Sequence, residues 1–198
     1  MLKNLLILSI AWLLSACQPN DPIEYQNLKL FPQGKAFSGF SLTNQNKEKI
    51  DENAFKGKTS VVFFGFTNCP DICPTTLQEL KLTDKLLKKA DKPSPDFVFI
   101  SVDPDRDKPE NLKSYIEYFN PDFTAATGSD ANILSLASQL GVAYHVEDHD
   151  EAQVVYDVDH SSALFLINEA GERIGIFPAP HNAATLAADL TLYMEQQS

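Results

Sequence analysis

The sequence predicts an α/β domain, and three observations carry that prediction. Residues 61–66, VVFFGF, form an apolar, aromatic-rich run with the two-sided burial of a central parallel strand. The run breaks at Thr67-Asn68 and passes through Cys69-Pro70-Asp71-Ile72-Cys73. It then enters a helical pattern at Pro74, where the missing N–H has no helical partner to lose and φ is already helical. Further along, strand and helix patterns alternate until a closing strand pair and a last helix. No internal repeat or low-complexity segment interrupts them.

Taken in order, the chain opens with Lys3 in a short positive region and an apolar stretch at 5–14. That length suits a signal peptide and falls short of the roughly 20 residues of a spanning helix. The stretch ends in Leu14-Ser15-Ala16-Cys17, which resembles the bacterial lipobox, with cleavage before the cysteine and lipidation at Cys17. Residues 1–16 are therefore expected to be a lipoprotein signal peptide. Residues 17–35, polar and proline-bearing without a sustained period, are expected to be a membrane tether contributing little to the core. Residues 36–198 are expected to be the folded domain.

Within it, 37–42 and 49–50 read as strands around the polar turn 43–47, an N-terminal hairpin. The turn 55–58 feeds the central strand, and Leu77, Leu80, Leu82, Leu86 and Leu87 mark the amphipathic helix after the cysteines. A proline-broken loop at 91–96 precedes the strand 97–102, which ends in Asp103-Pro104-Asp105-Arg106-Asp107. Pro109 opens a helix with Leu112, Tyr115, Ile116 and Phe119 on one face. Residues 122–126 form a short strand, and Ser129 caps a helix through Leu140 that Gly141 closes. Residues 144–156 are a charged segment whose ends pair as a hairpin. Strands at 163–167 and 173–177 flank the turn 169–172, and Asn182 caps a final helix with Leu186, Leu190, Tyr193 and Met194 inward. This layout matches the thioredoxin-like fold, with an N-terminal hairpin extension and an insertion at 129–156 before the last strand pair.

A formal net charge of −11 argues against nucleic acid, for which no basic stripe exists, and against a polybasic membrane patch. Membrane contact is expected to come through the N-terminus alone.

With Cys17 carrying lipid, Cys69 and Cys73 remain, four residues apart in an oxidising compartment. A structural disulfide closing so short a loop would constrain the unfolded chain little, so a chemical role is the better reading. Both thiols sit at a strand-to-helix turn, beside unpaired N–H groups and the positive end of the helix dipole. Pro70, and the restriction Pro74 places on Cys73, are expected to keep the loop non-helical so that the sulfurs can approach. Such a C-x3-C loop can close a redox-active disulfide or open around a metal.

His160 lies in Asp157-Val158-Asp159-His160-Ser161-Ser162, before an apolar strand, with Asp157 and Asp159 available to orient its ring. In a thioredoxin-like fold this loop lies on the face that carries the cysteines. Two thiolates and an imidazole make a soft donor set suited to copper, where thiolate selects Cu(I) and imidazole also accepts Cu(II); zinc is chemically possible. His145 and His149 have metal-like spacing in an acidic loop, and His181 reads as a solvated surface residue. Residues 103–107 read as a surface charge run. Their place at a strand's C-terminal end keeps Asp103 as an acidic partner near the site.

Residues 64–77 (FGFTNCPDICPTTL), residues 101–107 (SVDPDRD) and Asp159-His160-Ser161 together resemble the three signatures of the SCO/SenC family. These are membrane-tethered, thioredoxin-like proteins that handle copper for the CuA centre of cytochrome c oxidase. The resemblance covers nearly the whole mature chain. It implies Cys69, Cys73 and His160 as copper ligands and Asp103 as an acidic neighbour. The implied partners are cytochrome c oxidase subunit II or another copper acceptor, and other copper chaperones. Asn68 stands where many members carry histidine, and Lys108 where a threonine is frequent.

The expectation is a bacterial membrane-anchored lipoprotein facing the periplasm or cell exterior. It would deliver copper, as Cu(I) or Cu(II), or keep an acceptor's cysteines reduced. The alternative is a thiol–disulfide oxidoreductase for which copper is incidental. A peroxiredoxin-like peroxidase fits the fold but lacks the expected Thr/Arg surroundings of the thiol.

Overall fold

The central strand is β4 (Ser60–Gly65), buried along its whole length. In the computed structural model, which describes residues 24–148, 156 and 158–197, it pairs in parallel with β5 (Asp96–Ser101), Ser60 opposite Asp96 through Gly65 opposite Ser101. Its other edge takes β9 (Leu164–Ile167) antiparallel. Outward on that side follow β10 (Glu172–Phe177) and β1 (Lys29–Ala36). On the β5 side follow β6 (Thr124–Thr127), β2 (Leu42–Asn44) and β3 (Lys49–Ile50), giving the order β1-β10-β9-β4-β5-β6-β2-β3.

The pleat of β4 explains why it reads as a continuous apolar run. Successive side chains point to opposite faces, and here both faces are covered. Val61 and Phe63 pack with Leu77, Leu80 and Leu87 of α1 (Ile72–Lys89), Leu112 and Ile116 of α2 (Pro109–Phe119), and α4 (Ala183–Glu195). Val62 and Phe64 pack against Ile133, Leu136 and Leu140 of α3 (Asp130–Leu140) and against Phe55. The expected insertion at 129–156 holds α3 and β7 (Tyr144–Val146), but β7 pairs antiparallel with β8 (Val158–His160), just beyond the expected segment, in a separate two-stranded ribbon.

Several local expectations are met at the level of single bonds. The Asn182 side chain accepts from the N–H groups of Ala184 and Thr185, and Gly141 closes α3 in the left-handed region at φ 76°. Ser129 occupies the N-cap position of α3, but its hydroxyl accepts from the Asn132 side-chain amide instead of a helix N–H.

The N-terminus differs from expectation. The tether does not run to residue 35, because β1 joins the sheet beside β10 and Leu28 is buried in the core. What draws this polar stretch onto the domain is Asp189 of α4, only 1% exposed. Its carboxylate accepts from the N–H groups of Gln26, Asn27 and Leu28, each at 2.8 Å. No local pattern could announce a bond that spans more than 160 residues. Asp189→Ala would leave those donors without their acceptor, at about 1–3 kcal/mol for each one that stays buried. Denaturant unfolding is expected to show a loss of about 3 kcal/mol or more, with proteolysis opening near Tyr25; a wild-type midpoint would remove Asp189 as the clasp. Cys17 and the expected signal peptide lie outside the described residues.

Candidate metal centre

The turn after β4 brings the cysteines to the sheet's C-terminal edge. The helix begins earlier than the prolines suggested: α1 starts at Ile72, so Cys73 lies in its first turn and Pro74 is the third helical residue. The loop is therefore not kept non-helical as far as Cys73. The first four N–H groups of a helix have no internal partner, so a proline at the third position forfeits nothing. One of those N–H groups is used: Cys73 N–H points to Cys69 Sγ at 3.4 Å, so the sulfur of the first cysteine caps the helix that carries the second.

Both cysteines are free thiols, Cys69 half-buried and Cys73 buried. Beneath Cys73 lies Gly65, the last residue of β4. A Cβ added there would stand 2.6 Å from Cys73 Sγ and 2.7 Å from the Phe99 ring, so only glycine leaves room for the sulfur. Burial pushes the Cys73 thiol well above the ordinary cysteine range, opposed by a backbone hydrogen bond at Phe66 and reinforced by the Cys69 sulfur.

His160 ends β8, and its ring reaches the cysteines from there. Its Nε2 lies 3.2 Å from Cys73 Sγ, and its Nδ1 lies 3.1 Å from the Ser161 carbonyl. A carbonyl only accepts, so Nδ1 carries the proton and Nε2 presents its lone pair to the cysteines. The rings of Phe63 and Phe66 meet the imidazole edge-on at centroid distances of 6.0 and 5.9 Å and fix its plane. Burial lowers the His160 pKa, opposed by the Ser161 carbonyl and the Asp159 charge, which favours the neutral ring.

The donor atoms of Cys69, Cys73 and His160 all lie within 4.8 Å of one another. Metal bonds of about 2.0–2.3 Å to nitrogen and sulfur set neighbouring donors about 3–4 Å apart, so small side-chain adjustments would enclose one ion. Among the described residues no other group of three such side chains comes together.

The acidic residues are arranged differently from the sequence-based expectation. Residues 103–107 are not a surface charge run: Asp103 and Asp107 are both buried. Asp103 accepts from Arg106 Nε and from the Tyr156 hydroxyl at 2.5 Å, and the Arg106 guanidinium stacks 3.6 Å over the Tyr156 ring. Asp103 thus pins Tyr156 at the far end of the charged segment, and none of its hydrogen bonds among the described residues reaches a cysteine. The carboxylate that braces the cysteine loop is Asp107. It accepts from Thr67 N–H at 2.9 Å, Thr67 Oγ1 and Ser101 Oγ, tying the loop two residues before Cys69 to the end of β5. Burial raises the Asp107 pKa, opposed by the bonds from Ser101 and Thr67. The sequence signal was Asp107's position after a strand that runs parallel to β4, but nothing local distinguished it from Asp103 or Asp105.

Asp159 is exposed and sits opposite His145 in the β7–β8 ribbon; the carbonyl of Ser161, not a carboxylate, holds the His160 ring. Asp157 and His149 lie outside the described residues, and His145 is exposed. Asn68 is exposed beside Cys69. His181 is not a solvated side chain. It is half-buried, with Nε2 2.7 Å from the Ser162 carbonyl, so it buttresses the loop that follows His160.

Comparison with known proteins supplies independent findings. The SCO1/SenC family model matches residues 32–195. A "Putative copper-binding protein" of Stutzerimonas stutzeri is 34% identical over 180 residues, covering 90% of this chain and 87% of that one. Arabidopsis thaliana ScoI, solved with copper bound, superposes with a TM-score of 0.74 at 30% identity, over 81% of this chain and 99% of that one. Yeast Sco1 with copper bound gives a TM-score of 0.76 at 27% identity, over 81% and 89% respectively. The fold is thus thioredoxin-like, as the order of strands and helices predicted, and the chain belongs to the SCO1/SenC family.

Proposed function

We propose that the chain is a copper metallochaperone, anchored through Cys17 to a bacterial membrane and facing the periplasm or cell exterior. Copper is its cargo, and Cys69, Cys73 and His160 are the donors that hold it. The observation that carries this reading is the convergence of two reduced sulfurs and an imidazole lone pair within 4.8 Å on a buried, aromatic-walled site. Thiolates suit Cu(I) and the imidazole extends the set to Cu(II). The family resemblance directs the cargo to the CuA site of cytochrome c oxidase subunit II.

A second use of the same pair is favoured by the unequal exposure of the two thiols. An incoming acceptor disulfide reaches half-buried Cys69 first. The Cys69 thiolate attacks one acceptor sulfur and forms a mixed disulfide. Cys73, giving up its proton, then displaces it, so the acceptor leaves as a dithiol and the chain is left with a Cys69–Cys73 disulfide. Copper loading and disulfide formation consume the same sulfurs and exclude each other.

Copper titrations of reduced and oxidised protein, with metal counted per chain, test the proposal. One tightly bound ion is expected in the reduced protein and none in the oxidised one. Because the Cys73 thiol is held protonated at neutral pH, binding must displace its proton. Affinity is therefore expected to fall about tenfold for each pH unit of acidification per proton displaced. Neutral His160 gives up no proton at neutral pH and begins to compete only below its lowered pKa. Equal affinity in both redox states would place the metal elsewhere.

A further inference from the structure

The overall charge of −11 conceals an uneven distribution. On the outer surface of α1, Lys81, Lys85 and Lys89 stand one turn apart, all exposed and without an ion pair among the described residues; they edge the groove toward α2, where Glu117 pairs with Lys113 and Asp84 with Lys88. Beside that row lie Leu82 and Leu86, 39% and 41% exposed, among the few large apolar side chains that the described residues leave in water. Across the α1–α4 groove, Ala184, Ala188 and Leu192 continue the apolar surface at four-residue spacing. The acidic side chains of this part of α4 are already engaged: Asp189 holds the N-terminal segment and Glu195 pairs with Lys92.

The two helices run in the same direction. Ala183 N–H donates to Glu79 at one end of the pair, and Lys92 meets Glu195 at the other. Tyr25, the second described residue, sits at this second end, where its hydroxyl donates to Gln196. Residues 1–23, which precede Tyr25 in the sequence, include the apolar stretch 5–14.

The geometry points to the outer face of α1, with the apolar α1–α4 seam beside it, as a docking surface for an anionic lipid bilayer. A row of lysines complements anionic headgroups, and an apolar seam beside it suits the acyl boundary, with the lysine stems reaching back toward the headgroups. The described residues begin at the same end of the domain, so a membrane-bound N-terminus would bring this face to the bilayer first. The inference rests on the proposed anchoring only for that direction of approach. With the face down, α1 lies along the surface. Its cysteine end then sits about 24 Å along the helix from Lys89.

The test uses the full chain mixed with vesicles of phosphatidylcholine alone or with phosphatidylglycerol added. An amine-acylating reagent reports each lysine by mass spectrometry, and Lys56, on the other side of the sheet, serves as reference. In anionic vesicles Lys81, Lys85 and Lys89 are expected to be protected several-fold relative to Lys56, and high salt should remove the protection. The triple variant Lys81→Glu/Lys85→Glu/Lys89→Glu is expected to lose, on the order of a hundredfold, its preference for anionic over neutral vesicles while still binding copper. Protein that sediments with anionic vesicles only would overturn the anchor and keep the docking face. Protein that sediments with both, its three lysines reacting as in solution, would overturn the face and keep the anchor. Sedimentation with neither overturns both, and lipid-free protection that grows with protein concentration would assign the face to a second copy of the chain.

Discussion

His160→Ala is expected to weaken copper binding by well over tenfold while leaving the Cys69–Cys73 disulfide able to form. His160 offers the only nitrogen of the proposed donor set, with its Nε2 lone pair turned toward Cys73 by the Nδ1–H bond to Ser161. Two thiolates alone leave Cu(II) under-coordinated. Losing a residue that merely supports a ligand typically lowers metal affinity about 10–100-fold, and losing the ligand itself should cost at least as much. Disulfide exchange depends on access to the attacking sulfur, which half-buried Cys69 keeps without the imidazole. Two readouts separate the roles: the thiolate-to-copper absorption of the Cu(II) form, and the midpoint potential of the dithiol pair. Wild-type copper affinity in the variant would refute the ligand assignment and leave the oxidoreductase as the better reading.

Gly65→Ala is the second large effect, because one methyl group would strike the site from below. The added Cβ would lie 2.6 Å from Cys73 Sγ and 2.7 Å from a Phe99 ring carbon, both far inside contact distance. β4 is flanked by β5 and β9 and covered on both faces, so the strand cannot retreat. Phe99 is buried between Phe63 and Tyr115, so the sulfur must move instead. Overpacking of this kind costs about 1–3 kcal/mol, and displacing Cys73 Sγ also disturbs its 3.2 Å approach to His160. A lower unfolding midpoint together with at least tenfold weaker copper binding is expected. If both stay at wild-type values, Gly65 is not the floor of the site.

These two residues show where sequence reading succeeds and where it stops. The C-P-D-I-C-P run and the distant D-H-S were legible because reactive thiols, prolines and a histidine carry their chemistry in their identity. The same holds for the strand and helix patterns, whose periods of 2 and 3.6 follow from backbone geometry alone. Gly65 looked like an ordinary member of an apolar run, since its function is the space it leaves under another residue's sulfur.

The acidic residues teach the converse. Asp103, Asp105 and Asp107 are alike in sequence, yet Asp103 clasps Arg106 and Tyr156 while Asp107 braces Thr67. Which carboxylate faces which donor is set by the parallel register of β4 and β5, which places the two loops side by side. Asp189 and the lysine row of α1 are of the same kind. A carboxylate near the C-terminus claims three backbone N–H groups near the N-terminus, and lysines diluted in an acidic composition gather on one helical surface. By itself the sequence determined the fold class, the order of elements after the N-terminal segment and which three side chains are the candidates for the metal centre, because covalent identity and local period suffice for those. Only the tertiary structure decided how those side chains are braced, where the N-terminal segment becomes part of the domain and which face carries the lysines. Each of these depends on contacts between residues far apart in the chain, and such contacts leave no local trace.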